Sequence, residues 1–216
     1  MYVKSGDVAD GLWHRLEGPW RAAVEEAWAA YAAGTVPVGA VLVDHSGRVV
    51  SRGRNRIFDA SAPGQIGGSR LAHVEVNALL GLAVSEIDPR VLALYTTAEP
   101  CPLCVGALVM ANVREIRYAA RDPFAGSIAL LSSTPYIRSK AISVHAPHDR
   151  LLEGALVAIG IEFHVRLAGP RVAELVERSS QIRPDAGRLA ARIRWDLLRQ
   201  MTPAEGLSAL VAGLDL

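Results

Sequence analysis

Two short stretches constrain this chain more than anything else in it: His73-Val74-Glu75 and Cys101-Pro102-Leu103-Cys104. Both of the chain's cysteines fall in the second stretch. One imidazole and two thiolates form a three-ligand zinc set, which leaves the fourth tetrahedral position open, as catalytic rather than structural sites do. Residues two apart on a helix point to different sides, so His73 and Glu75 cannot converge from a helix interior. They can converge at a first turn, where the site lies beyond the helix end. Val76, Leu79, Leu80 and Ala83 give the apolar spacing of a helix that starts near His73. Pro102 suits a first helical position, which puts Cys101 at the N-cap with its thiol over the helix start. Two helix N-termini then aim partial positive charge at one metal and favour thiolate over thiol.

The rest of the chain reads as a compact α/β domain with an appendage. Its 216 residues are enough to bury a sizeable core. Pro19 to Ala33 is a helix with Ala22, Ala23, Ala27, Ala30 and Tyr31 available for packing, and Gly34 ends it. Val36 to Asp44 is a buried strand, residues 45–47 a tight turn and Arg48 to Arg54 its hairpin partner. The long connection from Ile57 to Leu71 is either a lid or a plain flexible loop. Then follow the His73 helix, the strand Val91 to Thr97, the Cys101 helix to Asn112 and the strand Glu115 to Ala120. Near-continuous apolar strands alternating with helices indicate a sheet covered on both faces. Trp13, Trp20 and Trp28 suit the core or an interface. His14, His45, His145, His148 and His164 carry no ligand spacing and read as surface or strand-end residues. Phe124 is expected to face the core, the alternative being to stack on a base.

Composition narrows the setting. No apolar run approaches the roughly 18 residues of a membrane span, and Met1 to Leu12 lacks the basic start and apolar stretch of a signal peptide. Two cysteines committed to a metal leave none for disulfides, so the expected location is the cytoplasm. With 23 basic and 22 acidic residues, net charge +1, the chain has no broad electrostatic footprint for nucleic acid.

The stretches VPVGAVLVD (36–44), GRNR (53–56), AHVEVNAL (72–79), TTAEPCPLCVGALV (96–109) and ARD (120–122) resemble the cytidine deaminase-like zinc-dependent deaminases. The likeness is to their nucleoside and nucleobase branch, which contains tRNA adenosine deaminases and guanine deaminases. It runs from about Trp20 to Arg166. The resemblance implies a three-layer α/β/α fold with a five-stranded mixed sheet, and frequently a homodimer. The fifth strand is placed at Ala141 to Val144 rather than Glu162 to Arg166, and is followed by a helix from Arg150 to Gly160. The resemblance also implies that Asn55 and Asp122 contact substrate. The alternatives are a turn residue for Asn55 and an N-cap or solvated loop acid for Asp122.

In H-x-E…P-C-x-x-C enzymes the Glu is a proton carrier and not a ligand, so Glu75 is the expected catalytic residue beside the zinc ligands His73, Cys101 and Cys104. Residues 1–166 are then the deaminase domain and 167–216 a helical extension of unassigned role. In that extension Leu189, Ile193, Leu197 and Leu198 fall at helical spacing, and Arg188, Arg192, Arg194 and Arg199 give a modest basic bias. The expected reaction is zinc-dependent hydrolytic deamination of a free nucleobase or nucleoside, purine first. One alternative is a tRNA adenosine deaminase acting on an anticodon loop, another a non-catalytic zinc-binding scaffold. The stretch Asn77 to Pro100 argues for the small molecule, because it holds Arg90 as its only basic residue against Glu86, Asp88 and Glu99.

Overall fold

A computed structural model of the chain describes residues 11–82 and 87–214. The reading of Met1 to Leu12 falls almost wholly outside that range, as does Ala83 of the expected helix pattern. Five strands, β1 (Gly39–Val43), β2 (Val49–Arg54), β3 (Ala93–Thr96), β4 (Glu115–Tyr118) and β5 (Ser143–His145), form one sheet in the order β2-β1-β3-β4-β5. β1 is antiparallel to β2 and β3, while β3, β4 and β5 run parallel, so the sheet is mixed. The fifth strand is the earlier candidate. Glu162 to Arg166 lies inside a helix, α5 (Arg150–Leu167), which is longer than the expected 150–160.

β1 is buried along its whole length, and its alternation assigns residues to two cores. Val41 and Val43 face a core built from α1 (Gly18–Ala32) and α5, with Trp20, Trp28, Tyr31, Leu152 and Ile159. Ala40 and Leu42 face a second core with Val74 and Ala78 of α2 (Val74–Leu80) and Leu108 of α3 (Pro102–Met110). Helices on both faces of one sheet make the three-layer α/β/α arrangement. Gly34, past the end of α1, takes φ +74°, which a side chain would resist.

The residues beyond 167 join the first core. Helix α5 stops at Ala168 in the left-handed conformation. After a short helix α4 (Pro135–Ser139) between β4 and β5, the extension contributes α6 (Val172–Ile182), α7 (Pro184–Ala190), α8 (Trp195–Leu198) and α9 (Pro203–Ala212). Leu189, Leu198, Leu207, Leu210 and Val211 belong to the same core as α1 and α5. The even spacing from Leu189 to Leu198 therefore crosses a break between α7 and α8, and Leu197 is exposed. An ion network with a buried centre fastens the join: Glu153 of α5 takes the half-exposed Arg121 (2.6 Å) and the buried Arg183 (3.5 Å), and Arg183 also pairs with Asp185. Trp28 Nε1 donates to the Met201 carbonyl at 2.8 Å. Three of the extension's arginines are spent internally: Arg194 on Asp196, Arg192 on the Gly213 carbonyl, Arg199 over the Trp195 ring.

Candidate active site

His73 is the N-cap of α2 and Cys101 the N-cap of α3, both with extended backbone, and Pro102 opens α3 as expected. The ends converge. His73 Nδ1 lies 3.4 Å from Cys101 Sγ and 3.5 Å from Cys104 Sγ, and the two sulfurs are 3.5 Å apart. A tetrahedral zinc with Zn–S near 2.3 Å and Zn–N near 2.0 Å needs donor–donor edges of roughly 3.5–3.8 Å, so the triangle fits the ion. Electrostatics agree. Hydrogen bonding from Cys104, aided by His73, holds the Cys101 thiol down to about 4, while Cys101 and burial push the Cys104 thiol up. The hydrogen bond to Cys101 raises His73. Three donors that compete for protons are three donors a divalent cation would relieve.

Glu75 stands outside this donor set, in the first turn of α2 and 3 % exposed. Burial raises its pKa, and Thr96 Oγ1 of β3 donates to its Oε1 at 3.1 Å. The buried face of α2 comprises Val74, Glu75, Asn77 and Ala78, whereas Leu80 is half exposed. The apolar spacing through Val76, Leu79 and Leu80 therefore marked the helix but not its inner face. The helix buries two polar residues, Glu75 and Asn77, together with Val74 and Ala78, and packs against β2 so closely that a Cβ on Gly53 would sit 2.3 Å from the Val74 carbonyl oxygen.

All six expected site residues line one cavity of about 560 Å³, within the range of small-molecule sites. Asn55 is buried; its Oδ1 accepts from Thr35 Oγ1 (2.7 Å) and Ile57 N (3.1 Å), leaving Nδ2 without a partner among the described residues. Asp122 Oδ1 accepts from Phe124 N and Ala125 N at 2.9 Å, so it is a loop-capping acid that also faces the cavity.

Several residues depart from expectation. Phe124 lines the cavity rather than the core, with the Arg171 guanidinium 4.6 Å from its ring centre. His164 is no surface residue: it lies on α5 at the cavity wall, and burial lowers its pKa against the opposing charge of Asp122. Glu99 was not singled out; it lines the cavity and accepts from Asp122 N and Ile128 N, joining the metal-ligand loop to the Asp122 loop. Its place two residues before Cys101 was the available signal. Asn77 is fully buried and pins the 57–71 connection by bonds to Ile66 N, Ile66 O and Arg54 O. Arg56 ties the same connection through Asp59 and Gln65, so it forms a stitched rim. The extension supplies the remaining wall: Gly169, Pro170, Arg171, Val172 and Leu175.

Residues 15–120 match the cytidine and deoxycytidylate deaminase zinc-binding region. The chain is 36 % identical over 110 residues to the tRNA-specific adenosine deaminase of Haemophilus influenzae, a match spanning 50 % of this chain and 60 % of that protein. It is 31 % identical over 111 residues to the tRNA-specific adenosine deaminase of Aquifex aeolicus, covering 50 % of this chain and 68 % of that one. Among solved structures, the guanine deaminase of Nitrosomonas europaea shares the fold with a TM-score of 0.51, at 24 % identity over 69 % of this chain and 86 % of that one.

Proposed function

Because this chain belongs to the zinc-dependent deaminase family of the cytidine and deoxycytidylate deaminase zinc-binding type, we propose that it is a hydrolytic deaminase that converts the exocyclic amine of a nucleobase or nucleoside, purine first, to a carbonyl. One observation carries the reading: a buried carboxyl, Glu75, stands beside the His73-Cys101-Cys104 triangle without belonging to it. A structural zinc site has no use for such a group, which disfavours the scaffold alternative.

Zinc held by His73, Cys101 and Cys104 would supply a Lewis acid that brings the acidity of water near neutrality. Glu75, whose raised pKa suits it to both directions of proton transfer, accepts a proton from water and delivers it to the ring nitrogen, then carries a second to the departing amine. The C–N bond breaks, water provides the carbonyl oxygen and ammonia leaves. Thr96 orients Glu75, the Asn55 amide donates to the base, and Val38, Ile57 and Phe124 give the base apolar surface and keep water out. The unit that works is the deaminase domain, 1–166, closed by the extension, 167–216.

A second reading, deamination of an adenosine in a tRNA anticodon loop, is favoured by the names of the Haemophilus and Aquifex relatives. Against it stands the near-neutral charge, since structured RNA generally recruits several lysines and arginines. We further propose a cytoplasmic homodimer. Among the described residues no helix is long and apolar enough to cross a membrane. Leu103 and Met110 on the outer side of α3, with Leu130 and Tyr136 beside them, form the exposed apolar face for a second copy. Ammonia release by zinc-loaded protein across free bases, nucleosides and an anticodon stem-loop tests the substrate. Turnover of the stem-loop far above every base and nucleoside would replace the first reading by the second.

A further inference from the structure

We propose that the mouth of the catalytic cavity holds a phosphate of the substrate between Arg70 and Arg171. The inference rests on the deaminase reading and narrows its substrate from a base or nucleoside to one carrying a phosphate.

Both arginines line the cavity that contains Glu75 and the three metal-ligating side chains. Arg70 lies at the end of the stitched 57–71 rim, three residues before His73. It is exposed and makes no hydrogen bond or ion pair among the described residues. Most other arginines near it are committed: Arg54 and Arg56 both pair with Asp59. Arg171 comes from the extension, beyond the stretch that resembles other deaminases. Its Nε and Nη2 both donate to Glu174 Oε2, at 2.9 and 2.7 Å, and its plane sits on the Phe124 ring. That leaves Nη1 free on a guanidinium whose position is already set. Glu174 also takes Arg178 at 2.8 Å, so one carboxylate is shared by two guanidinium groups and the cluster keeps positive charge.

The cavity therefore has two unlike ends, a buried one that holds Glu75 and the three candidate ligands among apolar side chains and an exposed one at Arg70 and Arg171. Of its acids, Glu75 is buried, and Glu99 and Asp122 each accept two backbone N–H groups. Its exposed rim carries the two cations. An uncharged heterocycle belongs at the first end and an anion at the second. Arginine's planar fork matches phosphate geometry better than any other side chain. The volume of about 560 Å³ also leaves room beside a base for a sugar and phosphate. The phosphate has two possible sources, the 5′-phosphate of a free nucleotide or the backbone of an RNA strand.

The test compares zinc-loaded wild type with Arg70→Ala, Arg171→Gln and the conservative Arg171→Lys. Substrates are adenosine, guanosine, their 5′-monophosphates and an anticodon stem-loop, and the readout is kcat/KM. Binding is measured in parallel by titrating the Glu75→Gln protein with the same compounds. A phosphate-bearing form should exceed its nucleoside by about tenfold or more in kcat/KM and in affinity, the size of one charge-assisted contact. The ratio should collapse toward one in Arg70→Ala and Arg171→Gln and recover in part in Arg171→Lys. A monophosphate leading the panel identifies a nucleotide substrate; a leading stem-loop with the same arginine dependence identifies RNA. Equal handling of phosphorylated and unphosphorylated forms, or a phosphate advantage indifferent to both arginines, overturns the inference. If nothing in the panel releases ammonia, the deaminase reading fails, and the titration still decides the phosphate contact.

Discussion

Gly53→Ala is a one-atom change that reaches the active site through packing alone. A Cβ at residue 53 would lie 2.3 Å from the Val74 carbonyl oxygen and 2.4 Å from Ala78 N. Ordinary contacts begin near 3.4 Å. The colliding atoms are helix backbone, so no rotamer change can relieve them, and α2 must move off β2 by on the order of 1 Å. Alanine lowers the entropy of the unfolded chain, a gain of about 0.4–1 kcal/mol. Overpacking costs about 1–3 kcal/mol and prevails, for a net loss of roughly 1–2 kcal/mol. In a chain of this size that lowers Tm by roughly 2–8 °C. Function should suffer more than stability. His73 caps α2 and Glu75 sits in its first turn, while Cys101 and Cys104 ride on α3, so a shift of α2 alone opens the donor triangle. A misplacement of about 1 Å costs around 10²-fold in turnover. The assays are thermal unfolding, zinc content after dialysis against a weak chelator, and kcat/KM. Gly160→Ala serves as the opposite case: nothing lies within 4 Å of its added Cβ in the middle of α5, so it should gain up to about 1 kcal/mol. Wild-type Tm, zinc retention and turnover in Gly53→Ala would refute the close packing of α2 on the sheet.

Cys104→Ser should bind zinc much more weakly, and full zinc occupancy by metal analysis would remove Cys104 from the ligand set. Glu75→Gln should fold, keep zinc and lose nearly all turnover; loss of the metal instead would make Glu75 a ligand. Glu153 links pH to stability. Burial opposes its charge, but Arg121 and Arg183 outweigh burial and hold its carboxyl below the ordinary 4.5. A depressed folded value means stability that is complete above about 4.5 and lost as pH falls through the folded pKa. Glu153→Gln should therefore cost about 2 kcal/mol at pH 7, with Arg183 left mostly to Asp185, and the difference from wild type should shrink in acid denaturation. A constant difference from pH 7 to pH 3 would disconnect Glu153 from the transition. Met110→Glu should shift the assembly toward monomer by light scattering, and an unchanged mass would dismiss the α3 face as the interface.

Local chemistry made the metal centre legible before any fold was known. His73, Cys101 and Cys104 are the residue types a zinc ion selects, Pro102 declares a helix start, and an H-x-E pair can converge only at such a start. Near-continuous apolar strands alternating with helices likewise marked the layers, because a sheet covered on both faces buries both sides of its strands. The inner face of α2 was not legible. The buried side of α2 carries Glu75 and Asn77 inward beside Val74 and Ala78, and hydrophobic spacing does not report the two polar residues. Phe124, His164 and Arg171 became cavity residues only through contacts between segments far apart in sequence, and no spacing rule spans such distances. The extension is the clearest case. Its apolar residues read as helical from their spacing, with no role assigned, and Leu189, Ile193 and Leu198, though not Leu197, pack on the core shared by α1 and α5. That α6 also walls the active site follows from where α5 ends, at the left-handed Ala168, which turns the chain back over the cavity. The direction of that turn is set by the whole core it must cover, so only the tertiary structure decides it.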